Sequence, residues 1–307
     1  MKELRLEINK RCNYSCVHCY TDKVLDESLP LQTYLKSIDE AVLLGANNIS
    51  LTGGEPLLQQ NKVLDLAKYA AERGMKVRLN TNGHLLTEER CKRLVEAGLY
   101  EVQISLNGDC SENFDEFTQV KGSFEKVINA VKTAVSMVPI VTVRFTLMSS
   151  TAHYLISTFK LVESLGVHNF KVRTLVQASG IHEELDDVIL MKLRNASQEL
   201  FQYAEGSSVK LRFSDNGLGF SIPTKDNIGP LECLCGHGSL FVSAEGNITA
   251  CPFVRDYETA KLGNANVDSL VDVFQTVNEN PDFRFKKYKA ENGCVKCAAS
   301  TFVLEAE

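Results

Sequence analysis

The sequence predicts an α/β fold: a partial (β/α)6 barrel of the TIM type, followed by a small cysteine-rich C-terminal unit of a β-hairpin and a helix. Three observations predict it. Between residues 3 and about 204, short apolar runs alternate six times with amphipathic stretches of helical period. Strands that alternate with helices imply parallel pairing through right-handed crossovers. Three polar, glycine-containing clusters, TGGEP, NTNG and SLNG, fall just after strand segments, where a barrel gathers its reactive loops. After about residue 206 the texture changes, and five of the ten cysteines lie between 233 and 297. The alternation by itself also fits a doubly wound open sheet.

LRLEIN (4–9) is the first strand and PLQTYLKSIDEAVLLG (30–45) the first helix, with apolar residues at helical spacing. NISLTGG (48–54) and KVLDLAKYAAERG (62–74) form the second unit, and Gly74 ends its helix. KVRLNTNG (76–83) precedes TEERCKRLVEAG (87–98), which Thr87 caps. EVQISLNG (101–108) leads through a loop to SFEKVINAVKTAV (123–135). IVTVRFTLM (140–148) with AHYLISTFKLVESLG (152–166), then NFKVRTLV (169–176) with 186–206, complete the six. The domain reading is 1–206 for the barrel and 207–307 for the C-terminal unit. In the latter, SLFVSAEGNITACPF reads as a hairpin turning at EGN, with a helix near VDSLVDVFQTVNEN.

A chain of 307 residues buries a full core, and its 44% hydrophobic and 23% charged residues are ordinary for a globular protein. The net charge of −6 with no basic run argues against a nucleic-acid or anionic-membrane partner. No apolar stretch has the length of a membrane span, and MKELRLEINK lacks the apolar core of an export signal. The expected location is the cytoplasm. In that reducing compartment clustered thiols hold metal or do redox chemistry rather than form disulfides. Cys91 and Cys110 stand alone, and each reads as either a small buried hydrophobe or an inert surface thiol.

Cys12-Asn-Tyr-Ser-Cys16-Val-His-Cys19 follows the first strand with the spacing C-x3-C-x2-C. So short a loop can wrap three thiolates around one metal centre. Three ligands on a four-iron cluster leave one iron open to a substrate. The competing reading is a zinc knuckle, but zinc prefers four ligands, and His18 sits beside Cys19, where both reach one ion poorly. Further on, Cys235-x10-Gly246-x4-Cys251 frames the hairpin and Cys294-x2-Cys297 adds two thiols. Four thiolates so placed can close around zinc or an iron–sulfur cluster, and spacing does not separate the two. Cys233 is left over as an alternative ligand, a hydrogen-atom donor or a bystander.

With these motifs the sequence resembles the radical SAM superfamily over nearly its whole length, and the late cysteines resemble its SPASM or shorter twitch auxiliary-cluster domain. The resemblance implies a [4Fe-4S] cluster on Cys12, Cys16 and Cys19 that binds S-adenosylmethionine at its open iron. The cofactor is then split to a 5′-deoxyadenosyl radical, which removes a hydrogen atom from the substrate. It places His18 near the adenine, Gly53, Gly54 and Glu55 of TGGEP at the methionine amino group, and Asn82 and Ser105 at the ribose. Arg144 on the fifth strand suits a carboxylate. It also implies a second, auxiliary [4Fe-4S] cluster on Cys235, Cys251, Cys294 and Cys297, and a flavodoxin- or ferredoxin-type electron donor. The SENFDEFTQVKGSFEKV segment (111–127) partly matches members that modify peptides, with Asn107 in place of an Asp. The expected substrate is a peptide or protein side chain, to be crosslinked, epimerised or oxidised. The alternatives are dehydrogenation of a small polar molecule such as a sugar or aminocyclitol, and a non-enzymatic zinc-stabilised binding module.

Overall fold

The computed structural model describes residues 1–21, 28–176, 183–214, 222–231, 234–235 and 238–280. Six parallel strands, β1 (Glu3–Glu7), β2 (Asn48–Thr52), β3 (Lys76–Thr81), β4 (Leu99–Ser105), β5 (Ile140–Leu147) and β6 (Asn169–Thr174), pair in chain order. The crossover helices are α1 (Leu31–Leu43), α2 (Gln60–Glu72), α3 (Glu88–Glu96), α5 (Ser123–Met137) and α6 (Leu155–Ser164), with α7 (Asp187–Ala204) after β6. Thr87 caps α3 as expected, its hydroxyl accepting from Arg90 N. The expected six units are present, each element within a few residues of its sequence bounds.

Each strand alternates. Leu4 and Leu6 of β1, Ile8 just after it, and Val141, Val143 and Phe145 of β5 are buried against the helices. The intervening positions turn charged and polar groups into the barrel. At its floor, Arg78 joins Glu3 (2.6 Å) to Glu101 (2.7 Å), Arg5 holds Glu3 (2.7 Å), and Lys171 reaches Glu101 at 3.4 Å. Thr142 Oγ1 and Gln103 Nε2 also donate to Glu101. Burial opposes the Glu101 charge, but Lys171 and Arg78 outweigh it and bring its pKa from 4.5 down to about 2. A carboxylate with a depressed pKa contributes stability above its unfolded pKa and loses it as pH falls towards the folded value. The melting temperature should therefore drop between about pH 4.5 and about pH 2, and Glu101→Gln should flatten that drop while lowering stability at neutral pH. An acid limb of the same slope in the variant would remove Glu101 from this role.

The sheet runs past six strands at both edges. β7 (Lys210–Ser214) and β8 (Ile228–Pro230), unexpected from sequence, continue in parallel beyond β6. The expected hairpin, β9 (Ser239–Val242) and β10 (Asn247–Thr249), docks on the other edge, β9 lying parallel to β1 with Glu3 opposite Ser239. β11 (Gly263–Asn264) and α8 (Leu270–Glu279) follow, α8 packing on α1. Among the described residues eleven strands form one open sheet, with β8 and β11 at its edges. The molecule is thus a partial barrel, with the cysteine-bearing hairpin an extension of its sheet. A further helix, α4 (Ser111–Thr118), stands where a loop was expected. No helix among the described residues is long and apolar enough to cross a membrane.

Candidate active site

The cysteine loop leaves β1 in an extended path, and the TGGEP loop of β2 is laced to it. Ile8 N donates to Thr52 O (2.8 Å), Gly54 N to Asn9 O (2.8 Å) and Glu55 N to Arg11 O (2.7 Å). This close approach explains the two glycines. A Cβ on Gly54 would lie 2.2 Å from Arg11 O, and one on Gly53, at φ +151°, would lie 2.5 Å from Asn9 O.

Glu55 is fully buried, and its carboxylate is taken up by the protein. Oε1 accepts from Leu57 N (2.9 Å) and Thr81 Oγ1 (2.8 Å), and Oε2 from Asn82 N (2.8 Å). It ties the end of β2 to the end of β3. Burial raises its pKa, and those three hydrogen bonds oppose the rise. Asn82 then carries the link onward, its Nδ2 donating to Asn13 Oδ1 (2.8 Å) and lying 3.6 Å from Cys12 Sγ. Tyr14 N also points at Cys12 Sγ, at 3.4 Å, and Cys19 N closes a turn on Cys16 O at 3.0 Å.

The other side of the loop rests on α4. Ser15 N donates to Thr118 O (3.1 Å) and Val17 N to Phe117 O (3.0 Å), while the His18 ring lies 4.8 Å from that of Phe117. Asp115 fixes the C-terminal end of α4 through Ser123 Oγ (2.8 Å) and Phe124 N (2.9 Å). Phe117, Thr118 and Asp115 were not singled out as site residues. Their only trace was the partial match of segment 111–127.

Cys12, Cys16 and Cys19 are half-buried thiols on this loop. Among the described residues no three His, Cys, Asp or Glu side chains converge on a single metal ion. An iron–sulfur cube takes each thiolate on a different iron. Three soft sulfur donors, with N–H groups directed at one of them, fit an iron–sulfur cluster.

Ser105 ends β4 beside Arg144 of β5. Burial and the neighbouring Arg173 lower the Arg144 pKa to about 10. Asn107, standing where an Asp was noted in peptide-modifying members, accepts from Thr146 N at 2.6 Å and joins the ends of β4 and β5.

Cys235 and Cys251 are buried in a separate apolar cluster with Val176, Ala250, Val254 and Ala260. Arg5 Nη1 lies 3.8 Å from Cys235 Sγ. Cys233, Cys294 and Cys297 lie outside the described residues. Cys91 is fully buried, burial pushing its thiol up to about 11, and Cys110 is exposed, which decides between the two readings the sequence left open for each. The end of β1 is also tied to the C-terminal region. Buried Glu7 pairs with buried Arg255 and accepts from Ala244 N (3.1 Å), and Lys10 bonds Glu245 and faces Asp256 at 3.6 Å. Burial raises the Glu7 pKa, and Arg255 opposes the rise.

The family model of the radical SAM superfamily matches residues 6–162, and that of an iron–sulfur cluster-binding domain, SPASM, matches 233–298. An AdoMet-dependent heme synthase of Methanosarcina barkeri is 27% identical over 266 residues, covering 81% of this chain and 76% of the relative. A PqqA peptide cyclase of Bradyrhizobium diazoefficiens is 26% identical over 251 residues, covering 80% and 65%. The fold is that of Streptococcus suis SuiB bound to its precursor peptide SuiA, with TM-score 0.75 at 17% identity, over 97% of this chain and 70% of that one.

Proposed function

Because this chain belongs to the radical SAM superfamily, we propose that it is an enzyme of that class whose substrate is a peptide or protein side chain. Its family and SPASM domain bring a [4Fe-4S] cluster, S-adenosylmethionine and auxiliary iron–sulfur centres. When bound, cluster and cofactor together supply a carbon-centred radical that abstracts hydrogen. The chain's own residues hold and orient these groups. Cys12, Cys16 and Cys19 supply the thiolates of the first cluster, and Cys235, Cys251, Cys294 and Cys297 those of an auxiliary one. Asn82 steadies Cys12, and His18, backed by Phe117, offers an aromatic face to the adenine. Gly53 and Gly54 bring the β2 loop against the cysteine loop, so that its backbone is available to the methionine amino group. Glu55 serves this arrangement by positioning, since its oxygens are already engaged. Ser105 faces the ribose and Arg144 the cofactor's carboxylate. Electrons come from a flavodoxin- or ferredoxin-type donor.

The observation that carries the peptide reading is the likeness to a PqqA peptide cyclase across 80% of the chain. Anaerobic incubation with cofactor, dithionite and a short peptide encoded beside the gene should give 5′-deoxyadenosine and a mass or stereochemical change in that peptide. A second reading, an anionic small molecule, is favoured by the heme synthase likeness and by two arginines in the barrel that have no carboxylate partner among the described residues. Turnover of a carboxylated tetrapyrrole with no change in any such peptide would overturn the first reading in favour of the second.

A further inference from the structure

The lumen charges do not balance. Arg5, Arg78 and Lys171 are paired with Glu3 and Glu101, and Arg255 with Glu7. Arg144 and Arg173, on adjacent strands, have no ion pair or hydrogen bond among the described residues, and each lies close enough to repel the other. A pair of unmatched guanidinium groups in a chain of net charge −6 is not a consequence of composition. Half-burial makes their uncompensated charge costly, so the site favours anionic ligands that would relieve it. The cofactor brings one carboxylate, which satisfies one arginine. The other still lacks an anion.

Arg173 is built to receive it. Its guanidinium lies 5.5 Å over the Phe253 ring, and Phe253 in turn packs 4.9 Å from Tyr20, the residue after Cys19. Stacking covers the flat face of a guanidinium and leaves its N–H edge free for a planar, two-oxygen acceptor. Arg255 lies 5.1 Å over the other aromatic of this pair, Tyr20, and its Nη2 is buried without an acceptor among the described residues. An unsatisfied buried donor beside the same aromatic wall is a second mark of an absent acceptor.

We propose that Arg173, held against Phe253, binds a carboxylate of the substrate inside the barrel, beside the cofactor. The inference rests on the enzymatic reading above and deepens it: the substrate carries a carboxylate, whether an acidic peptide side chain or the acid of a small molecule. A terminal carboxylate of such a substrate matches the one guanidinium fork left after the cofactor binds.

The test uses the cluster-loaded protein saturated with S-adenosylmethionine, titrated calorimetrically with glutarate and separately with inorganic phosphate. Glutarate should bind the wild type in preference to phosphate. Its affinity should fall by about tenfold or more in Arg173→Gln and by less in Arg173→Lys, which keeps charge but loses the fork. Cofactor affinity should stay within about twofold in both, as expected of a group that does not touch it. Absent glutarate binding, equal binding in Arg173→Gln, preference for phosphate, or cofactor affinity lost with Arg173 would each overturn the proposal. Failure of the enzymatic reading shows separately, as a wild type that forms no 5′-deoxyadenosine. If glutarate does bind, comparing a glutamate-containing peptide with its glutamine analogue, and a tetrapyrrole acid with its ester, identifies the source of the carboxylate.

Discussion

Alanine at Cys12, Cys16 and Cys19 together should abolish 5′-deoxyadenosine formation, while the protein stays folded and keeps about half its iron. The three thiolates are the proposed ligands of the cluster that reaches the cofactor, so without them no iron is available to it. The fold should persist because the loop is held mainly by its backbone. Glu55 N on Arg11 O, Ser15 N on Thr118 O and Val17 N on Phe117 O involve no sulfur. Two four-iron clusters would put about eight irons on the wild-type chain and about four on the triple variant, all in the C-terminal site. Iron analysis and Mössbauer spectroscopy of anaerobically purified protein, with chromatography of the cofactor products, read both effects. Undiminished cofactor cleavage in the triple variant would refute the assignment. One zinc ion and four irons in the wild type would make the C-terminal centre structural.

Gly54→Val should lose the N-terminal cluster and cofactor binding together. From the sequence, TGGEP is a loop whose backbone approaches the cofactor's amino group, and a valine there would weaken the cofactor while leaving the cluster intact. The packing alters that expectation. A side chain on Gly54 meets Arg11 O at 2.2 Å and Lys10 O at 2.5 Å, one residue short of Cys12. Backbone cannot yield by a rotamer change, so the bonds from Gly54 N and Glu55 N must break and the cysteine loop must shift. Overpacking of this kind costs about 1–3 kcal/mol. The expected result is iron at the N-terminal site below about half of wild type, with cofactor affinity weakened about tenfold or more, since a shift of about 1.4 kcal/mol is already tenfold. Full cluster occupancy with weakened cofactor would instead place the glycine's role in ligand approach alone.

The sequence by itself determined the six strand–helix units, because their signal is periodicity within single segments. It also fixed the cysteine triplet and TGGEP at the ends of β1 and β2, since both lie within a few residues of clear strands. Tertiary structure decided the rest. The Glu55 carboxylate looks like a ligand group in the motif, and only the approach of β3 reveals that Thr81 and Asn82 occupy it. α4 was read as loop because its eight residues are too few for a strong helical period, yet its carbonyls hold the cysteine loop. β7 and β8 are short edge strands whose pairing is non-local, and β9 joins β1 across more than 230 residues of chain. Arg144 was marked in the sequence as suited to a carboxylate, whereas Arg173 is an ordinary strand cation there. That the two lie diagonally on adjacent strands, with no carboxylate partner among the described residues, is a property of the barrel's register, because charge balance in a lumen belongs to all of its strands at once.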